Sequence, residues 1–125
     1  MTAIADLVET YVRCYNNSDG EGMLACCAPD VVFETISNPG GSLRLTGHAE
    51  MREVLDASTR AFTERSHRIV SLLSEGDRAA AETVFTGVAA AELGDGVRPG
   101  DNVSIRGATL FEIADGKFAR ITDYS

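Results

Sequence analysis

VSIRGATLFEIADGKFARITDY, Val103 to Tyr124, is the stretch on which the fold turns. Two runs rich in β-branched and aromatic residues, Val103–Ala114 and Lys117–Tyr124, flank Asp115-Gly116. Both of those residues tolerate the positive φ that a two-residue type I′ hairpin demands, so the segment predicts a pair of antiparallel strands. Upstream, Ser66–Glu75 and Arg78–Leu93 read as two more strands about a tight turn at Gly76-Asp77, and Gly94-Asp95-Gly96 with Pro99-Gly100 marks a longer loop before Val103. The second half of the chain is therefore an antiparallel meander.

The first half is mainly helical. Ile4, Leu7, Val8, Tyr11, Val12 and Tyr15 recur at the spacing of one helix face, with Tyr11 in the middle of the apolar stripe. Ser18 and Glu21 have the spacing of a capping box, and the short helix they open, through Met23, Leu24 and Cys27, stops before Pro29. Val31–Ile36 reads as a strand closed by the turn residues Asn38-Pro39-Gly40-Gly41. A third helix starts near Gly47 with the stripe Met51, Val54, Leu55, Ser58 and Phe62, and the polar Thr63-Glu64-Arg65 leads out of it. The predicted order is α-α-β-α-β-β-β-β, an α+β fold in which a cone-shaped, curved antiparallel sheet wraps three helices from the N-terminal half.

A length of 125 residues suits one domain, residues 1–125, and no internal repeat or linker divides it. The formal net charge of -8, without any basic run, argues against nucleic acid as a partner. No apolar stretch approaches the roughly 20 residues needed to span a bilayer, and the opening Met-Thr-Ala-Ile-Ala-Asp lacks the layout of a signal peptide. The expectation is a soluble, cytoplasmic protein with no membrane partner. Cys14, Cys26 and Cys27 form neither a disulfide framework nor a zinc pattern, and His48 and His67 stand alone, so neither a metal nor another cofactor is expected.

Strand parity selects the candidate chemistry. In the last strand Ala119, Ile121 and Asp123 share one face, and Arg120, Thr122 and Tyr124 the other. Asp123 thus falls on the apolar face, where a carboxyl group resists ionisation and is poised for acid–base work near neutral pH; a structural, hydrogen-bonded aspartate is the alternative. Phe33, Thr35, Thr83, Phe85, Val103, Ile105, Thr109 and Phe111 read by the same parity as walls of an apolar pocket carrying a few hydroxyls, with simple core filling the better reading for Ile105 and Phe111. His67 shares a face with Ile69 and Leu73, and its near-neutral pKa qualifies it as a base supplied from another strand. Parity sends Glu34 away from Phe33 and Thr35.

The layout, together with Tyr-Val-x-x-Tyr-Asn-Asn-Ser-Asp from Tyr11, Cys-Ala-Pro-Asp-Val-Val-Phe-Glu from Cys27, Glu-Gly-Asp-Arg from Glu75 and Asp-Gly-Lys-Phe-x-Arg-Ile-x-Asp-Tyr from Asp115, resembles SnoaL-like proteins of the nuclear transport factor 2-like superfamily. The resemblance spans nearly the whole chain. It implies a cone open at one end to a ligand, and a homodimer built through the sheet. The superfamily holds polyketide cyclases, ketosteroid isomerases, epoxide hydrolases, dehydratases and non-catalytic dimerisation domains, so residues must decide function. By resemblance, Asp123 matches the catalytic acid of SnoaL-type cyclases and epoxide hydrolases, and Tyr11 the isomerase tyrosine that donates to the substrate carbonyl. Thr35 and Thr109 stand where isomerases carry acids, Thr109 also where cyclases carry a histidine, and Thr83 and Phe85 where epoxide hydrolases carry an arginine and an aspartate.

Two readings follow. One is a cofactor-independent isomerase, cyclase or dehydratase acting on a small, apolar, carbonyl-bearing compound, with Asp123 as acid and base, Tyr11 as oxygen-polarising donor and His67 as auxiliary. The other is a ligand-binding or dimerisation module without turnover.

Overall fold

The tight Asp115-Gly116 turn takes the form its residues demand, with φ of 54° and 79°, and it joins the two strands that organise the sheet. The computed structural model describes residues 4–37, 41–94 and 96–125. In chain order the elements are α1 (Ile4–Asn16), α2 (Gly20–Ala25), β1 (Cys27–Ser37), β2 (Gly41–Thr46), α3 (Gly47–Ala61), β3 (Phe62–Glu75), β4 (Arg78–Ala89), β5 (Asn102–Ala114) and β6 (Lys117–Tyr124). The six strands form one sheet in the order β2-β1-β6-β5-β4-β3. This is the expected α+β architecture of helices against a curved sheet.

Several details differ from the sequence reading, each for a local reason. β2 is an additional strand; its Leu43 and Leu45 alternate with polar neighbours and pair with Thr35 and Phe33 of β1. The sheet is mixed, because β1 and β6 run parallel while every other pairing is antiparallel. Asp19, not Ser18, caps α2: its carboxylate accepts from the Gly22 amide at 2.9 Å, Ser18 sits at φ 56° in the turn that ends α1, and Glu21 is drawn off to Arg52 at 2.8 Å. Thr63-Glu64-Arg65 is already strand, paired with β4, and β4 stops at Ala89, short of Leu93. Met1–Ala3, Asn38–Gly40 and Asp95 lie outside the described residues, and with them the chain opening, most of the Asn38-Pro39-Gly40-Gly41 turn and the centre of the Gly94–Gly96 loop.

Among the register shifts in the sheet, two change which face the singled-out residues occupy. The β5–β6 pairing passes from Glu112–Arg120 to Ile113–Phe118, which skips Ala119 and turns Phe118 inward, where it is fully buried. Phe118, rather than Ala119, is the inward neighbour of Ile121. In β3 the register shifts between Ile69 and Ser71, so Leu72 faces inward and Leu73 stands 74% exposed on the outer face, not beside His67.

The core sits between the helices and the concave face. Val8, Met23, Leu24, Val31, Met51, Phe118 and Ile121 are all buried to within 2% of exposure, and each of these side chains contributes about 1.5–3 kcal/mol by leaving water. α1 packs on β3 and β4, and α3 on β1, β2 and β3, which leaves the sheet centre between them only partly filled.

Candidate functional site

Two facts of register bring the candidate residues together. Because β1 and β6 pair in parallel, Thr35 lies directly beside Asp123; because β5 and β6 form the hairpin, Thr109 lies on its other side. The next strand continues the row, with Ala81 opposite Thr109 and Thr83 opposite Gly107. The carboxyl group of Asp123 is thus held between two threonines at the centre of the sheet. The Thr109 hydroxyl donates to Asp123 Oδ1 at 2.5 Å.

A cavity of about 200 Å³ opens above this row, walled by Val8, Tyr11, Val12, Tyr15, Val54 and Ser58 from the helices and by Phe33, Thr35, Ala81, Thr83, Thr109, Phe111 and Asp123 from the sheet, with Met23, Leu55 and His67 completing it. A second hollow of about 170 Å³ shares Thr35, His67, Thr83, Thr109 and Asp123 with the first and adds Phe85, Ile105, Gly107, Tyr124 and Ser125. The shared residues make one continuous depression with an inner chamber and a mouth. Gly107 permits the mouth: a Cβ there would lie 2.5 Å from the Tyr124 carbonyl oxygen, so only glycine lets the end of β6 close beside β5.

Electrostatics distinguish the polar groups. Burial raises the pKa of Asp123 above the ordinary 3.8, and the Thr109 hydrogen bond opposes that rise by favouring the carboxylate. Tyr11 is pushed well above 10 by burial and then by the nearby Asp123 charge, so its phenol keeps its proton and stays a donor. Its ring is fixed edge-on against Phe118 and Phe111, with centroids 5.6 and 6.1 Å apart.

His67 departs from the near-neutral base expected of it. Burial, assisted by the Arg65 charge, pushes its pKa down to about 4, so the ring is neutral at pH 7 and a weak base. It is stacked on Tyr15 at 4.6 Å and meets Phe85 edge-on at 5.3 Å, while the Asn16 side chain brackets its backbone, accepting from its N–H at 2.7 Å and donating to its carbonyl at 2.9 Å.

All eight singled-out residues, Asp123, Tyr11, His67, Phe33, Thr35, Thr83, Phe85 and Thr109, line the chamber or its mouth. Ile105 is at the mouth and 44% exposed, contrary to the core role expected of it, because β5 outruns the helices there. Val103 pairs with Gly87 and is not a wall of the chamber or the mouth. Glu34 points outward to Arg120 at 3.0 Å. Sequence reasoning missed the part played by Tyr15 and Ser58, which it read only as helix-stripe packing, and by Arg65, which it placed in a connecting segment. No spacing signal marks them, since their roles depend on how α3 meets β3. Among the described residues, no three His, Cys, Asp or Glu side chains converge on a metal-binding group, and no helix is long and apolar enough to cross a membrane.

The chain belongs to the SnoaL-like domain family, whose model matches residues 8–121. Among solved structures it is similar to a candidate polyketide cyclase from Xanthomonas campestris pv. campestris, 27% identical over 97% of this chain and 88% of that one, with a TM-score of 0.83. It is also similar to AclR, a candidate hydroxylase from Streptomyces galilaeus, 25% identical over 95% of this chain and 85% of that one, with a TM-score of 0.77. An epoxide hydrolase from M. tuberculosis, 19% identical over 94% of this chain and 78% of that one at a TM-score of 0.74, shares the fold. No curated protein matches the chain.

Proposed function

We propose that this protein takes up a small, largely apolar, carbonyl-bearing molecule in the chamber and moves a proton on it without a cofactor, as an isomerase, cyclase or dehydratase. The observation that carries the reading is the carboxyl group of Asp123, held in register between Thr35 and Thr109 at the floor of a chamber with apolar walls. In its ionised form Asp123 removes a proton from carbon next to the carbonyl, and the bond electrons move onto the carbonyl oxygen. The Tyr11 phenol donates a hydrogen bond to that oxygen as its charge develops and keeps its own proton. Asp123, now protonated, returns the proton to another carbon or to a departing hydroxyl. A raised pKa suits both halves of this cycle, because the two protonation states lie closer in free energy near neutral pH.

The test is turnover of a responsive ketone by Asp123→Asn, which keeps the shape and loses the proton exchange; the expected loss in kcat is about 10²–10⁴-fold. Unchanged turnover sinks the assignment. His67, neutral and held by stacking, serves as wall and hydrogen-bonding partner in this scheme.

A second reading has its own support. Among the described residues, Asp123 is the one carboxyl side chain in the chamber wall, and threonines fill the places beside it, which suits a binding module with no turnover. Saturable ligand binding without consumption of any compound would favour it.

The proposal extends to assembly. Leu73, Leu110 and Tyr124, exposed by 74%, 43% and 42%, border a groove of about 650 Å³ on the outer face of the sheet, crossed by the pairs Arg78–Glu112 and Arg120–Glu34. A second copy of the chain covering this face would make a homodimer and bring Tyr124, which also borders the mouth, to the edge of the interface. With three free cysteines and a charge of -8, a cytoplasmic protein with no nucleic-acid partner is the matching setting.

A further inference from the structure

The feature that the proton-transfer scheme leaves unused is Arg65. Its guanidinium lies 4.0 Å over the Tyr15 ring, Nη1 donates to Ser58 Oγ at 2.8 Å and Nη2 to Thr59 Oγ1 at 3.2 Å, while Nε is buried with no partner. Among the described residues, the salt bridges involve other arginines, and none reaches Arg65. A half-buried cation held by two hydroxyls and an aromatic face, without a carboxylate, is an unusual arrangement, since buried charge is ordinarily paired.

The arrangement has a direction. Ser58 and Tyr15 are both chamber walls, and their oxygens lie 3.4 Å apart. Ser58 Oγ accepts from Arg65, and Ser58 and Tyr15 share one hydrogen bond in which either hydroxyl is the donor, so one of their two protons is left for a ligand, and the guanidinium charge strengthens that donation. The Tyr15 ring lies under the same cation. Tyr15 and Ser58 come from α1 and α3 and Arg65 from the start of β3, whereas Thr35, Thr109 and Asp123 come from β1, β5 and β6, so a positively biased side of the chamber faces an acidic floor.

We infer that Ser58 and Tyr15, polarised by Arg65, form an oxyanion subsite for a negatively charged oxygen of the ligand, a carboxylate or a phenolate, remote from the carbonyl handled at Asp123. The inference rests on the ligand-binding reading above and deepens it: the ligand is a compound with two oxygen functions, one of them anionic. Arg65 is a positioning residue, since it acts through Ser58 and Tyr15.

The probes are trans-cinnamate and trans-cinnamamide, equal in shape and different in charge, titrated at pH 7 by calorimetry or NMR. The wild type is expected to bind the acid about tenfold more tightly than the amide, the scale of one charge-assisted hydrogen bond. Arg65→Gln and Ser58→Ala should each bring the two affinities together, whereas Asp123→Asn should keep the preference. If Arg65→Gln does not fold, Ser58→Ala alone carries the comparison. Equal binding of acid and amide by the wild type, or a preference that survives both substitutions, overturns the subsite and leaves the proton-transfer reading standing. Failure of both compounds to bind overturns the subsite together with the ligand-binding reading it rests on. Loss of turnover in Asp123→Asn with the acid preference intact supports both.

Discussion

At Asp123 two influences oppose each other, desolvation raising the pKa and the Thr109 hydroxyl lowering it. Thr109→Val removes the second and should move the Asp123 carboxyl further up, which a ¹³C-detected carboxyl titration reads directly. His67 provides a pH signature of the opposite sign. Its folded pKa of about 4 lies below the ordinary 6.5, so between these values the unfolded chain holds a proton that the folded chain lacks. Stability therefore falls as pH drops from 6.5 toward 4, by up to about 3 kcal/mol from this group. Asp123, with its raised pKa, favours the folded state at low pH and loses that contribution as pH rises through its folded value. Denaturant unfolding across this range should show a steeper loss on acidification in Asp123→Asn than in the wild type, and a shallower one in His67→Phe. Asp123 and Tyr11 were legible in the sequence because parity and helix spacing fix which way a side chain points. The His67 pKa was not, because it depends on Tyr15, Phe85 and Arg65, which reach it from other positions.

Among the elements, β6 does the most to build the site. Its parallel neighbour β1 and hairpin partner β5 place Thr35 and Thr109 beside Asp123, and the bulge at Ala119 sends Phe118 into the core beneath Tyr11. Gly107 controls how closely the end of β6 approaches. Gly107→Ala should cost about 1–3 kcal/mol, as overpacking does, measured by urea unfolding, and should widen the mouth. The hairpin turn at Asp115-Gly116 was readable from composition alone, and so were the helical stripes except at their ends, where Cys27 opens β1 and Phe62 opens β3. β2 was missed because its six residues, mostly exposed, lack a strong apolar run, and the parallel pairing was missed because it is a long-range contact between chain halves. The two bulges escaped for a related reason: a strict period of two cannot show where one residue is skipped.

On the scale of the molecule, the sheet separates a concave face closed by helices from an outer face with exposed Leu73 and Leu110. If that outer face is a dimer interface, Leu73→Glu with Leu110→Glu should yield monomers in sedimentation velocity at micromolar concentration while leaving ligand binding in the chamber intact. The helices hold one side of the chamber and the sheet the other, so a ligand would bridge the two layers and stabilise the whole fold. The most direct measurement is the thermal stability of the protein against a panel of ring ketones and aromatic acids, for the wild type and for Thr83→Trp, which fills the chamber. A ligand at 100 times its Kd should add about 2.7 kcal/mol to the wild type and nothing to the filled variant. A panel without a stabilising compound, or stabilisation that Thr83→Trp leaves unchanged, would contradict the claim that this chamber is the working site.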